Sequence, residues 1–395
     1  MKIRSVQPAA FRPAQQGRRT APKGQGFREL GDLLLPWYLK ARRQLPWRDN
    51  PTPYSVWVSE IMLQQTRVET VIPYYKRFLK RLPDVEALAT APLEDVLALW
   101  SGLGYYRRAR SLHEGARLVL AEHRGEFPRD WKVALEIPGV GPYTAGAVLS
   151  IAYNLPFPVV DGNVERVLTR LFRMCGDPRK SKNQNGLRDF VQRHIPEGRA
   201  SEFNQALMEL GATVCTPLSP SCERCPLATL CLARQHGDMT RYPESAATRK
   251  SVELTLHAGV VRNKKKFLIE RVTRGSFLRG LWLFPYTEVK STKVRGGKRD
   301  GSGRPGQPRA SRKLLSSLSQ KLGVRMTHAT YLGNVRHTIT YRRIRVEIFE
   351  LQPPDEQSFA DLDSSLRWAR LEELGSSVPV SSLALKIAKL TKSHD

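Results

Sequence analysis

The sequence predicts a multidomain chain, an all-α half followed by an α+β half. Three observations carry this. From about residue 28 to 235, apolar residues recur at helical spacing. After a polar stretch at 236–251 the pattern turns to alternation, with Val252, Leu254, Leu256, Ala258 and Val260 on one side of an extended segment. Between the two patterns, Cys215 to Cys231 gathers four of the five cysteines of a 395-residue chain.

The elements follow in order. Residues 1–27 hold six basic residues, no acid and few large apolar groups, which predicts a disordered basic tail. Such a tail suits contact with DNA or, in a eukaryote, an organelle presequence. "LEDVLALW", "RARSLHEGARLVLAEH", "NVERVLTRLF" and "FNQALMELGATVC" read as helices of a domain spanning 28–235. Residues 236–251 read as a linker. In the domain at 252–390, "KFLIERV" and "RRIRVEIFEL" read as strands, and "RKLLSSLSQKL" and "SSLALKIAKL" as helices. A Gly-, Lys- and Arg-rich insert at about 289–313 reads as disordered.

Composition narrows the partner. There are 64 Lys and Arg against 37 Asp and Glu, a formal net charge of +27 with pI near 10.3. Basic residues spread along the whole chain point to a polyanion, nucleic acid first; a basic tail on an ordinary enzyme and an acidic membrane surface are the rivals. The N-terminus is basic without a continuous apolar stretch, so no signal peptide is expected, and no segment is apolar enough to cross a membrane. Disulfides are then not expected among the four clustered thiols. The spacing C-x6-C-x2-C-x5-C contains only one Cys-x-x-Cys clip, and by itself leaves zinc and an iron–sulfur cluster open.

Three stretches carry chemistry. "LEIPGVGPYTAGAVLSIAY" (135–153) reads as helix, tight turn, helix, with Gly139 and Gly141 in the turn and Pro142 opening the second helix. Free amides there bind phosphate without reading bases; an ordinary Gly-rich connection is the plainer reading. "VVDGNVERVLTRLF" (159–172) places Asp161 immediately before a helix. It is either a simple N-cap or a carboxylate kept ionised by the helix dipole, beside a developing sugar cation. "PYSVWVSEIMLQQT" (53–66) sets Glu60 on an apolar, aromatic helix, where burial would raise its pKa enough to donate a proton near neutrality. An exposed Glu on an amphipathic helix is the alternative. Gln64, Gln65 and Thr66 end this segment with polar groups suited to a base stack.

Together, the helix–hairpin–helix, the Asp161 element and the cysteine loop resemble the endonuclease III superfamily of DNA glycosylases. "LPWR", "VSEIMLQQT", "GLGYY", "GVGPYTAGA" and "DGNV" are similar to its adenine glycosylase, or MutY-type, branch. "LRGLWLFP" (278–285) resembles that branch's Nudix-like C-terminal domain. The resemblance covers about residues 28–390. It implies a [4Fe–4S] cluster on Cys215, Cys222, Cys225 and Cys231, with Arg224 projecting nearby toward a phosphate. Cys175 matches no ligand and is expected as a small buried residue.

The same resemblance implies a flipped adenine bordered by Arg43, Trp47, Arg48, Leu63 and Met208, although Trp47 and Leu63 suit plain core equally well. Gln65 and Tyr105 resemble residues that enter the base stack. Glu60 would protonate adenine, Asp161 would face the sugar cation, and Tyr143 and Asn163 would position both. Bifunctional relatives carry a Lys where this chain has Tyr143, which implies base release alone. Thymine-mismatch glycosylases share that Tyr but lack the Glu. They and a non-catalytic DNA-binding scaffold are the alternatives.

"PRASRKLLSSLSQKLGV" (308–324) has none of the acids with which Nudix hydrolases hold magnesium, which implies a recognition module. Where the branch reads 8-oxoguanine through Phe-Ser-His, this chain has Ile339, Thr340 and Tyr341. The partner expected is duplex DNA with adenine mispairs, bound by a monomer. The compartment expected is the nucleoid-containing cytoplasm in a bacterium, or the nucleus or mitochondrion in a eukaryote.

Overall fold

The computed structural model describes residues 30–244, 251–273, 278–289, 308–352 and 362–392. The expected basic tail and most of the basic insert lie outside the described residues. The chain forms two compact units. One comprises Met1–Ala89 and Glu114–Thr248, the other Thr90–His113 and Arg249–Asp395.

The helical part of the chain runs α1 (Leu30–Ala41), α2 (Pro46–Asp49), α3 (Pro53–Leu63), α4 (Val68–Arg81), α5 (Val85–Thr90), α6 (Leu93–Leu99), α7 (Arg107–His123), α8 (Trp131–Glu136), α9 (Pro142–Ile151), α10 (Gly162–Leu171), α11 (Ser181–His194), α12 (Ala200–Thr213) and α13 (Leu232–Gln235). One core of the first unit joins α1, α10, α11 and α12 through Leu34, Tyr38, Val164, Leu168, Leu187, Phe203, Leu207 and Leu210. On α10 the buried Val164, Val167, Leu168 and Leu171 fall at i, i+3, i+4 and i+7, one stripe of a helix.

The second unit holds β1 (Val252–Asn263), β2 (Lys266–Arg271), β3 (Trp282–Leu283), β4 (Tyr286–Val289), α14 (Arg312–Leu322), β5 (Ala329–Ile339), β6 (Arg342–Leu351), β7 (Leu366–Arg370) and α15 (Ser382–Lys392). The sheet order is β3-β2-β1-β6-β5, with β4 pairing β1 and β7 pairing β2. β1 and β6 run parallel from Val252↔Arg342 to Val261↔Leu351, and β5 returns antiparallel on β6. Leu314, Leu318 and Leu322 recur every fourth residue on α14 and pack with Val261, Leu268 and Phe349. α14 carries no acid anywhere along its length. It covers the sheet without offering a magnesium site.

Residues 90–113, expected from their helical period in the first domain, group by their contacts with the α+β half in the second unit. Backbone polar groups explain why. Tyr106 Oη donates to Val380 O at 2.7 Å, Val380 N donates to Ser101 Oγ at 3.2 Å, and Arg110 Nη2 donates to Arg279 O at 3.0 Å. The expected linker also differs. His236 closes α13, Tyr242 is buried and accepts from Arg170 Nε, and the Glu244 carboxylate accepts from Gly176 N. Residues 236–244 are therefore packed on the first unit, and only 251 of the remaining stretch is described.

Candidate active site

The site draws Glu60 from near the end of one helix and Tyr143 and Asp161 from the starts of two others. Thr52 caps α3 by accepting from Ser55 N at 3.1 Å, and Pro53 opens it. Most of α3 is buried, so a carboxyl on it has no escape to water. Glu60 is 4 % exposed. Asp130 caps α8, the chain turns through Gly139 at φ 81°, and α9 begins at Pro142. That turn places Tyr143 one residue inside α9, and its hydroxyl donates to the Glu60 carboxylate. The Tyr143 oxygen also lies 4.0 Å from Met208 Sδ.

Asp161 caps α10. Its Oδ1 accepts from Val164 N and its Oδ2 from Asn163 Nδ2, both at 2.8 Å. The segment leading to it is pinned by the buried Asn204, which accepts from Val159 N at 3.1 Å and donates to Phe157 O at 2.8 Å. Capping and a place in the site thus coincide at Asp161.

Electrostatics separate the two carboxyls from ordinary ones. Burial, opposed by the Tyr143 hydrogen bond and reinforced by the charge of Asp161, pushes Glu60 up to about 7. The helix dipole was expected to hold Asp161 fully ionised. Burial instead raises its pKa, and the hydrogen bonds from Val164 and Asn163 only partly offset this. Burial and the two carboxyls together lift Tyr143 well above the usual phenol value. A phenol this hard to ionise stays a donor toward Glu60.

The residues assigned to the adenine pocket divide. Arg43 and Arg48 converge on one carboxylate that sequence reasoning missed, Glu209. Arg43 Nε and Nη2 reach it at 2.8 and 3.1 Å, Arg48 Nη2 at 2.8 Å, and the Glu209 side chain is fully buried. Burial alone would raise Glu209, but the two guanidinium groups win and lower it. The signal was present: Glu209 sits three residues after buried Ala206 on the apolar side of α12, where a charge needs a partner. Trp47 is buried edge-on against Tyr75, centroids 5.4 Å apart, which is core packing. Leu63 ends α3 half-buried.

Beyond α3, Gln64 Nε2 donates to Thr144 Oγ1 at 3.4 Å and Thr66 Oγ1 to Gln64 O at 3.3 Å. Gln65 is exposed with φ 57°, a left-handed geometry that only a turn tolerates. Gly141 caps α9 with nothing near its missing Cβ, leaving the helix start open to a phosphate.

Arg166, also missed, ties the site to the cysteine loop. It donates to Asn163 Oδ1 at 2.8 Å, to Gly211 O at 2.7 Å and to Cys215 O at 2.7 Å. A Cβ on Gly211 would lie 2.6 Å from Asn163 Cβ and 2.8 Å from its carbonyl oxygen. Gly211→Ala is therefore expected to push α10 off α12 at a cost of about 1–3 kcal/mol. Thermal unfolding and single-turnover rate should both register the change.

Cys215, Cys222, Cys225 and Cys231 line one cleft, whose walls include Arg170 and Arg234 and no acid. No three His, Cys, Asp or Glu side chains among the described residues close tightly enough to share one ion. Four thiols around one cleft form a donor set that an iron–sulfur cluster takes. Arg170 Nη1 lies 3.4 Å from Cys215 Sγ, and the arginines offset the charge of ligating thiolates. Burial raises the Cys222, Cys225 and Cys231 thiols, with Cys225 pushed up to about 12. Arg224 ends the one-turn helix between Cys222 and Cys225, exposed. Cys175 is exposed, not buried as expected, because it lies in the turn after α10 rather than on its apolar stripe.

In the second unit, Tyr105 is 43 % exposed and lies outside any core. Ile339 ends β5, and Thr340 and Tyr341 form the two-residue turn to β6. The Thr340 hydroxyl donates to Ile339 O at 2.7 Å, and the Arg342 guanidinium stands 4.6 Å from the Tyr341 ring centroid.

Comparison with known proteins agrees with this geometry. Residues 58–193 match the family described as HhH-GPD superfamily base excision DNA repair protein, and residues 215–231 match the iron-sulfur binding domain of endonuclease III. An adenine DNA glycosylase of Rattus norvegicus is 34% identical over 91% of this chain and 77% of its own length. This chain belongs to the adenine DNA glycosylase family. The Homo sapiens adenine DNA glycosylase is 34% identical over 88% of this chain and 72% of its own. That of Buchnera aphidicola (Schizaphis graminum) is 37% identical over 65% of this chain and 75% of its own. Like this chain, the family members from rat and human align across both units. The strands and helices from Val252 to Lys392 are the α+β half expected after the helical one. The chain carries a [4Fe–4S] cluster, and the four cysteines of the cleft are the residues that would hold it.

Proposed function

We propose that this protein is a monofunctional DNA glycosylase, acting as a monomer, that hydrolyses the N-glycosidic bond of adenine mispaired with 8-oxoguanine or guanine. The observation that carries this is Glu60, a buried carboxyl raised to about 7 and hydrogen-bonded to Tyr143, with Asp161 close enough to raise it further. Near neutrality such a carboxyl still holds a proton to give.

Adenine extruded from the duplex receives that proton at N7. The C1′–N9 bond breaks with its electron pair passing to the base, and the positive charge left on the sugar faces Asp161. Water then adds at C1′ and its released proton restores Glu60. Tyr143 and Asn163 hold the two carboxyls in place throughout. Cys215, Cys222, Cys225 and Cys231 would hold the cluster, which would order the loop that Arg166 connects to Asn163. The hairpin tip supports reading of the opposite base: Thr340 keeps a hydroxyl where the family has Ser, Tyr341 offers a phenol in place of an imidazole, and Ile339 replaces a benzyl ring.

The test is a single-turnover assay on adenine opposite 8-oxoguanine and opposite guanine, with thymine opposite guanine as the contrast. Base release from the adenine duplexes, with strand breaks appearing only after alkali, is expected. Release of thymine instead would overturn the reading, and so would breaks without alkali.

Tyr143→Lys should add weak strand cleavage. An amine there would condense with the sugar aldehyde, losing water to form an imine that borohydride reduces to a stable crosslink. Absence of a trapped adduct would place residue 143 away from the sugar.

A further inference from the structure

Residues 100–106 of the second unit join α6 to α7 in a tight turn. Gly102, Gly104 and Tyr105 take left-handed φ values of 96°, 79° and 50°. Tyr105 carries a Cβ, so this conformation persists only because its surroundings over-determine it. Those surroundings are specific. Gly104 O accepts from Trp100 Nε1 and from Arg108 Nη2, both at 3.1 Å. The Arg108 guanidinium lies 5.5 Å from the Trp100 ring centroid and 5.4 Å from that of Tyr105. A planar cation between two aromatic rings restrains both.

Tyr106 completes the arrangement. Its hydroxyl accepts from Gly102 N at 2.9 Å and donates to Val380 O at 2.7 Å. Val380 N in turn donates to Ser101 Oγ at 3.2 Å. The same two-residue stretch thus contains an anchor and a tool. Tyr106 is buried, while Tyr105 keeps 43 % of its surface in solvent. Bases stack on exposed aromatic faces, and a side chain fixed beforehand loses little freedom when it does so.

We propose that Tyr106 and Arg108 are positioning residues that hold Tyr105 in the conformation that enters the base stack, and that Tyr106 makes this hold depend on Val380 of the C-terminal half. The inference rests on the reading of Tyr105 as a stack-entering residue. It gives the C-terminal half a part in base extrusion as well as in reading the opposite base.

The experiment uses the full chain carrying Glu60→Gln, to prevent turnover. The duplex carries 2-aminopurine beside adenine opposite 8-oxoguanine, and the fluorescence gain on binding reports unstacking. Tyr105→Ala should abolish most of the gain. Tyr106→Phe, which keeps the ring and removes both hydrogen bonds, should lower it about fivefold to tenfold, the scale of a lost buried hydrogen bond. Arg108→Met should act similarly, and Arg108→Lys should recover part of the gain. In a Tyr105→Ala background, neither Tyr106→Phe nor Arg108→Met should change what remains. Equal losses in both backgrounds would show a general structural role and overturn the proposal, as would no loss from either change with Tyr105 intact. A neutral Tyr105→Ala would instead overturn the reading of Tyr105 itself.

Discussion

Glu60→Gln is expected to lower single-turnover adenine release by about 10²–10⁴, the range for a lost general acid, with duplex affinity within about threefold of wild type. Glutamine keeps an oxygen to accept from Tyr143 but has no proton to give, so the loss falls on chemistry rather than on binding. The wild-type rate should fall as pH rises through about 7, where Glu60 ionises, and this limb should vanish from the variant's residual activity. Stability gives an independent reading. The folded state holds this proton more tightly than the unfolded chain does, so ionising Glu60 costs stability between the ordinary value of 4.5 and about 7. Above that window wild type carries a penalty of about 3 kcal/mol that glutamine lacks. The variant should therefore melt higher than wild type at pH 8 and about equally at pH 4. Equal melting at both, or more than a tenth of the rate retained, would remove Glu60 from the role.

Asp161→Asn is expected to cost about 10²–10³ in the same assay, the size of a removed charge-stabilising group, with little change in melting temperature. Asparagine caps a helix as well as aspartate does, so α10 keeps its start and only the charge is lost. Asp161→Ala removes cap and charge together and should lose the same rate plus about 1 kcal/mol of stability. The charge of Asp161 raises Glu60, so the basic limb of the asparagine variant should move to lower pH. An asparagine variant that unfolds, or that keeps its rate, would leave Asp161 as a cap alone.

Much of this site was legible because its chemistry is written locally. Glu60, Asp161 and Tyr143 each stand near a helix end marked by Pro, Gly or an apolar run. The four thiols lie within a single loop. Asp161 was legible as a cap, and the cap is present; its part as a carboxylate is what the asparagine variant tests. Arg166, Asn204 and the partners of Glu209 were not, because they depend on which helices face one another, and α12 meets α10 and α1 only in the folded chain. The direction of the Asp161 shift escaped for the same reason: a dipole is visible in sequence, while burial by other elements is not. β5 was hidden for a different cause. Its residues are half-exposed on both faces and interrupted by a register shift at Tyr331 and Gly333, so no clean alternation survives. Cys175 misled because a lone cysteine is usually buried.

The second unit is sewn from two stretches of chain with all of Glu114–Thr248 between them. On a ribosome, Ser101, Tyr106 and Arg110 emerge long before Val380 and Arg279 exist to meet them. The first unit has all its parts once Thr248 has emerged, whereas the second must wait for its last strands and its parallel β1–β6 pairing. The loop bearing Tyr105 is thus among the earlier parts made and among the last to set. No single cut, whether by a protease or by a recombination joint, parts the two units cleanly. A break that discards Arg249–Asp395 leaves residues 90–113 behind without the carbonyls that fasten them.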